Sequence, residues 1–114
     1  MKRVLWISRH FLTRDQLADL ERFCGGSIAL KCWQENVEDL ADLADAIEEA
    51  QVIAAVLPIH LLAQLVEMAG EKPVLISMAK RVVIPVAGGE AMTHFTHSGW
   101  QRIKKLTLEL EPAE

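Results

Sequence analysis

The stretch RVLWISRHFLT, residues 3–13, decides how this chain folds. Residues 4–7 are uninterruptedly apolar, which is the pattern of a strand buried on both faces of a parallel sheet. Residues 8–10 are polar, and Thr13 then precedes Gln16 by the spacing of a capping box at a helix start. A buried strand that ends in polar groups just before a helix is how open α/β sheets build ligand sites. The fold and a candidate site are therefore both predicted from this stretch.

Length and composition indicate one small, strongly apolar domain. The chain has 114 residues, so we expect a single domain over residues 1–114. Its hydrophobic share of 51% and mean hydropathy of +0.17 are high for a domain with so unfavourable a surface-to-volume ratio. Apolar surface buried between two copies would account for the excess, which predicts a homodimer. The net charge of −4 argues against duplex DNA as a partner.

Cysteine usage and the lack of long apolar runs predict a cytoplasmic protein. Cys24 and Cys32 are expected to be buried free thiols rather than a disulfide. The apolar run that follows Lys2 and Arg3 is too short for a signal peptide, and residues 52–57 are far too few to span a membrane. We therefore expect no membrane contact.

The hydrophobic pattern predicts the order β-α-β-α-β-α-β, which implies a parallel sheet with right-handed crossovers. After this core, Gly88-Gly89 indicates a hairpin, Ser98-Gly99 a further turn, and the alternation that follows an antiparallel edge strand. The fold class is thus an open α/β sheet, Rossmann-like, with a C-terminal antiparallel hairpin and edge strand. The predicted strands cover residues 4–7, 27–33, 52–57, 73–78, 81–87, 91–97 and 103–110, and the predicted helices cover residues 13–24, 37–50 and 59–69.

Helical periodicity assigns a core face to each predicted helix. The expected inward residues are Leu17, Leu20 and Cys24, then Val37, Leu40, Ala44 and Ile47, then Leu62, Leu65, Val66 and Ala69. Leu61 and Met68 lie off the last stripe, at the core periphery or in a dimer seam. In the first helix Arg14, Asp15, Asp19 and Arg22 are expected outward. The second helix carries an acidic face that is either solvated or a docking surface for a basic partner; it comprises Glu38, Asp39, Asp42, Asp45, Glu48 and Glu49.

Basic and hydroxyl side chains follow three of the predicted parallel strands. The carboxyl ends of parallel strands meet at one edge, where two helix N-termini would add partial positive charge. This edge therefore favours an anion, most simply a phosphate, although the basic residues could instead be solvated loop residues. The predicted ligand-binding set is Ser8, Arg9, His10, Thr13, His60, Ser77, Lys80 and Arg81.

The sequence lacks the common nucleotide-binding motifs and any set of residues at metal-ligand spacing. The chain has no G-x-G-x-x-G after its first strand and no Walker loop, so neither an NAD-type dinucleotide nor another cofactor is expected. His94 and His97 would lie on opposite faces of a strand, and neither His10 nor His60 has a cysteine or carboxylate at ligand spacing. No metal site is therefore predicted. His10 is instead a candidate general acid or base, or a phosphate donor.

Two segments resemble a known family. ISRHFLTRDQLAD, residues 7–19, resembles the strand-one-to-helix-one segment of small CRISPR-associated proteins with a CARF-like, Rossmann-type domain, and residues 95–97, after a glycine turn, are similar too. The resemblance implies a homodimer that binds a cyclic oligoadenylate across its two-fold axis in antiviral defence. It also implies a ring nuclease that cleaves the ring without a metal, through attack by a ribose 2′-OH.

Under this resemblance Ser8, Arg9 and His10 are the implied catalytic residues, and together with Lys80 and Arg81 they would hold the phosphates. Two other hypotheses remain open. The chain could be a non-enzymatic oligomeric adaptor that uses its acidic helix face, or a small hydrolase or isomerase that uses His10.

Overall fold

The computed structural model of this protein describes residues 1–85, 88–89, 91–106 and 111–113, with side chains given for all of these except 80–85 and 91–96. It has an α/β fold with one mixed sheet and three α-helices. The strands are β1 (Lys2–Ile7), β2 (Ile28–Trp33), β3 (Val52–Ala55), β4 (Val74–Pro85) and β5 (Ala91–Arg102). The helices are α1 (Arg14–Cys24), α2 (Ala44–Glu49) and α3 (Ile59–Ala69), and a 3₁₀ helix at Leu40–Leu43 leads into α2.

The sheet has the strand order β2-β1-β3-β4-β5. β2, β1, β3 and β4 run parallel to one another, and β5 is antiparallel to β4. The mostly parallel sheet predicted from the alternation of strands and helices is therefore confirmed. The chain passes from β1 to β2 on one side and then to β3 on the other, so the winding direction reverses between β1 and β3.

Both faces of the sheet are covered, as the uninterrupted apolar runs predict. Val4 and Trp6 face a cluster with Leu20 of α1, whereas Leu5 and Ile7 face a second cluster with the helices after β2 and β3. All four of these β1 residues are 1% exposed. Burial on both sides makes β1 the centre of the fold.

The first helix begins where its capping residues predict. The Thr13 hydroxyl accepts a hydrogen bond from the Gln16 amide at 3.1 Å, and the Gln16 side-chain carbonyl accepts one from the Thr13 amide at 2.9 Å. The helix ends at Cys24 and is capped by Gly25, whose φ of 82° is the left-handed conformation in which glycine is favoured. The capping box therefore fixes both the start of α1 and the orientation of the Gln16 amide.

The second helix differs from its prediction over residues 37–50. It starts as a 3₁₀ helix capped by the Asp39 carboxylate, and only then becomes α-helical. The 3₁₀ period of three places Leu43 beside Leu40 in the core, and α2 then buries Ala46 and Ile47. Ala44 is exposed, so its inward assignment is wrong.

The third helix has the predicted bounds, with Pro58 at its N-cap. Leu61 is 5% exposed and belongs to the core, whereas Met68 is 41% exposed. No helix in the described part of the chain is long and apolar enough to cross a bilayer. Cys24 and Cys32 are free thiols, but Cys32 is exposed, because β2 is an edge strand.

The C-terminal part departs most from expectation. The fourth strand and the first hairpin strand form one continuous β4, and β5 runs on through Ser98-Gly99, where a turn is predicted. The pairing shifts there, since Met78 pairs with Gly99 but Ala79 pairs with His97. Ser98 is thus the extra residue of a β-bulge, and Gly99 takes a φ of 134° that other residues rarely adopt. Residues 103–106 form no strand, and the rest of the predicted edge strand, residues 107–110, lies outside the described residues.

Candidate functional site

A crevice opens where the winding direction reverses. Its cavity of about 370 Å³ is lined by residues 7–9 after β1, 35–38 after β2 and 56–58 after β3. Open α/β sheets bind ligands outside the carboxyl ends of their strands at this type of position. We call this cavity the switch-point crevice.

The loop after β1 is held by hydrogen bonds to its neighbours. Ser8 is 6% exposed; its amide donates to the Trp33 carbonyl at 3.1 Å, and its hydroxyl accepts from the His10 amide at 3.1 Å. The Trp6 indole donates to the His10 carbonyl at 2.8 Å. Arg9 and His10 are exposed on this ordered backbone, and within the described residues no carboxylate lies within 4.0 Å of the Arg9 guanidinium.

The start of α3 contributes unpaired amides beside the crevice. Pro58 has no side chain that could cap the helix, and its carbonyl accepts from both Leu61 and Leu62 at 3.0 Å. The amides of Ile59 and His60 are those that the helix itself leaves without acceptors. The α1 N-terminus is different, because Thr13 already caps it. Two helix N-termini are expected to favour an anion. That of α3 is therefore the one whose first amides are not capped by a side chain.

The loop after β2 adds acidic residues to the lining of the crevice. Glu35 and Glu38 follow β2, with Asn36 between them, and all three are exposed. Arg9 and the α3 N-terminus suit an anion. The carboxylates instead accept hydrogen bonds from hydroxyl groups. A ligand that fits this set of residues carries both a negative group and hydroxyls.

The remaining predicted ligand residues lie at the starts of α1 and α3 and within β4. His60 is exposed on the first turn of α3, and the Thr13 hydroxyl is used as the α1 cap. The sequence predicts that Lys80 and Arg81 follow the fourth strand. They instead lie within β4, paired with Thr96 and Phe95. Their side chains lie outside the described residues, so a convergence with Arg9 stays a prediction.

Ser77 takes part in a hydrogen-bond chain that the sequence analysis missed. Its hydroxyl lies 2.7 Å from His97 Nδ1, and His97 Nε2 lies 2.9 Å from an Asp19 carboxylate oxygen. The Gln16 side-chain amide donates to the Ser77 hydroxyl at 3.2 Å. We call these four residues the Ser77 network. The outward assignment of Asp19 is wrong, because the β4–β5 hairpin extends the sheet across this flank of α1.

His97 is the buried centre of this network. Its side chain is 5% exposed, and burial lowers its pKa, an effect that the nearby Asp15 carboxylate partly opposes. In the neutral tautomer that carries its proton on Nε2, the ring donates to Asp19 and accepts at Nδ1 from the Ser77 hydroxyl. The Trp100 ring lies 5.5 Å from the imidazole and packs edge-on against Trp6.

Spacing along the sequence gives no signal for this network. Asp19 and His97 are 78 residues apart, and Ser77 and His97 meet only through the register of β4 with β5. The described residues contain no group of three His, Cys, Asp or Glu side chains that could hold a metal ion. Comparison of the chain with protein-family models, with curated proteins and with solved structures gives no match.

Proposed function

We propose that this protein binds a phosphate-bearing nucleotide in the switch-point crevice. One observation carries the proposal: Arg9 and Pro58, the N-cap of the uncapped helix α3, line the same cavity as Glu35 and Glu38. Phosphate oxygens match the arginine and the free amides, and ribose hydroxyls match the carboxylates. In nucleotide-binding α/β sheets an acidic residue near the end of the second strand commonly accepts from the ribose.

The size of the cavity supports a nucleotide over an isolated phosphate ion. A volume of about 370 Å³ falls within the range of roughly 300–1,000 Å³ that is usual for small-molecule sites. Phe11, Val56 and Ile59 add apolar surface around the same loops and are 77%, 58% and 59% exposed. An adenine ring or a second copy of the chain would cover this surface.

The CARF-like resemblance makes the proposal more specific. A homodimer that joins two crevices across a two-fold axis would bind a cyclic oligoadenylate. In ring cleavage the 2′-oxygen attacks the adjacent phosphorus, the P–O5′ bond breaks, and a 2′,3′-cyclic phosphate forms. His10 would take the 2′-OH proton and return one to the leaving oxygen, while Arg9 would stabilise the charge on the phosphorane. Ser8, through its bond to the His10 amide, would position the loop.

Binding of cyclic tetra-adenylate and cyclic hexa-adenylate to the purified protein, measured by calorimetry, tests the proposal. We expect Arg9→Ala to weaken binding about tenfold or more, in keeping with loss of a charge-assisted hydrogen bond. Arg14→Ala is the matched control, because Arg14 is an exposed arginine on α1 that does not line the crevice. Absence of binding to either ring and to linear adenylates, or equal loss in both variants, would refute the proposal.

Cleavage is tested separately from binding. Wild-type protein is incubated with each ring without added metal, and the products are separated by chromatography. We expect His10→Ala to abolish cleavage while leaving binding measurable. Retention of the full rate would clear His10 of a catalytic role.

An adaptor role is the second candidate, and it follows from the acidic face. All six of its carboxylates are exposed: Glu38, Asp39, Asp42, Asp45, Glu48 and Glu49. Reversing the charge of Asp42 and Asp45 to lysine should remove salt-sensitive binding to a basic partner. A partner profile unchanged by the double substitution would exclude this role.

A further inference from the structure

The Ser77 network is separate from the crevice. Ser77 faces α1 from β4, on the same face as Leu75, and none of the four residues lines the cavity. We propose that Ser77, His97, Asp19 and Gln16 form a second site, one for acyl transfer from carboxylic esters with an apolar acyl group. The proposal does not depend on nucleotide binding.

The hydrogen bonds run in the order that nucleophilic catalysis requires. With His97 neutral and protonated on Nε2, the Ser77 hydroxyl donates to Nδ1 and the opposite ring nitrogen donates to Asp19. An aligned base makes a serine hydroxyl nucleophilic, and a carboxylate behind the imidazole fixes its tautomer and stabilises the imidazolium. Asp19 is itself held by an ion pair with Arg22.

Gln16 supplies the remaining group, a donor for the oxyanion. Its amide nitrogen lies 3.2 Å from the Ser77 oxygen, so it can donate to an oxygen on a carbon bonded to that hydroxyl. The capping box holds the other end of the amide, because the Gln16 side-chain oxygen accepts from the Thr13 amide. The Gln16 main-chain carbonyl also accepts from the Trp100 indole at 3.0 Å. The donor is therefore fixed in place before any substrate arrives.

The solvent exposure of the three side chains fits their proposed roles as nucleophile, oxyanion donor and base. Ser77 and Gln16 are half-buried, whereas the base, His97, is 5% exposed. The half-buried Trp100 indole beside the imidazole offers an apolar wall, which favours an apolar acyl group.

The reaction balances with water as the only co-reactant. The Ser77 oxygen bonds to the carbonyl carbon as its proton passes to His97 Nδ1, and the carbonyl π pair moves to the oxygen beside Gln16. The tetrahedral intermediate then expels the alcohol oxygen, which takes the proton from His97. Water attacks the acyl-serine by the same steps and releases the acid.

Intact-mass analysis of the native protein treated with a fluorophosphonate probe tests the site. We expect one adduct on wild type, mapped by peptide sequencing to Ser77, and none on Ser77→Ala. Substitution His97→Gln should slow labelling by about 100-fold, the order of a general-base contribution. Ser27→Ala is the matched control, because Ser27 is an exposed serine between α1 and β2 that takes no part in the Ser77 network. It should label at the wild-type rate.

Three results would overturn the proposal: no adduct on wild type, an adduct at another residue, or equal labelling of wild type and Ser77→Ala. The wild-type measurement decides the matter even if a variant fails to fold. If Ser77→Ala only lowers the melting temperature and wild type does not react, the network serves to hold α1 on the hairpin, and the proposal is wrong.

Discussion

Replacing Thr13 by alanine tests whether the capping box sets the stability of α1. The substitution removes one hydrogen bond, from the Gln16 amide to the Thr13 hydroxyl at 3.1 Å. It leaves the reverse bond to the Thr13 backbone amide in place. Because Thr13 is exposed, its truncation opens no cavity. The loss is therefore that of the cap alone, about 1 kcal/mol.

This loss is large enough to measure in a domain of this size. A change of about 1 kcal/mol corresponds to a fall in melting temperature of roughly 4 °C for a chain of this length. We expect urea unfolding followed by circular dichroism to show a lower midpoint with an unchanged slope, since the unfolded chain exposes the same surface. A changed slope would mean that the substitution alters more than the cap.

Thr13→Ser provides the matched control. Serine keeps the hydroxyl at the N-cap, so the midpoint should stay close to that of wild type. Equal stability of the alanine and serine variants would refute the capping argument.

Three further predictions concern the core, His97 and the bulge. Leu20→Ala should lower the free energy of unfolding by about 2–5 kcal/mol, because Leu20 is fully buried between α1 and the sheet; a smaller loss in urea unfolding would contradict that packing. Burial lowers the pKa of His97, so the unfolded chain binds the proton more readily. Stability should therefore fall as the pH drops below about 6.5, and His97→Gln should lack this component in urea unfolding at pH 7.5 and 5.5; equal pH dependence would contradict it. Gly99→Ala has open space around the new Cβ but a φ of 134°, so calorimetry should show a loss of about 1–3 kcal/mol from backbone strain alone, and an unchanged melting temperature would contradict the bulge.

Local signals predict the first strand and two helices well. The apolar run of β1, the capping box of α1 and the Pro58 and Gly70 boundaries of α3 each act within a few residues, and the structure has them where they are expected. A local rule fails at α2, because its 3₁₀ start changes the period on which the inward assignment of Ala44 depends. The spacing of apolar residues does not show whether a short segment adopts the α-helical or the 3₁₀ period.

Non-local pairing limits what could be predicted for the site. The sequence indicates which residues follow β1 and β3, and the crevice forms there because parallel strands end at a common edge. It does not indicate that Glu35 lines the same crevice as Arg9, because this depends on β2 lying next to β1. The strand order is a tertiary property with no local residue signature.

The bulge at Ser98 explains why the Ser77 network is invisible in the sequence. Directly paired residues on neighbouring strands share a face, so Ser77 and its partner Trp100 both face α1. In a regular hairpin Ala79 would then pair with Ser98, and His97 would point to the opposite face. The extra residue makes His97 the partner of Ala79, which returns the imidazole to the α1 face beside Ser77. The pair Ser98-Gly99, which by its sequence predicts a turn, instead sets the strand register that brings His97 next to Ser77.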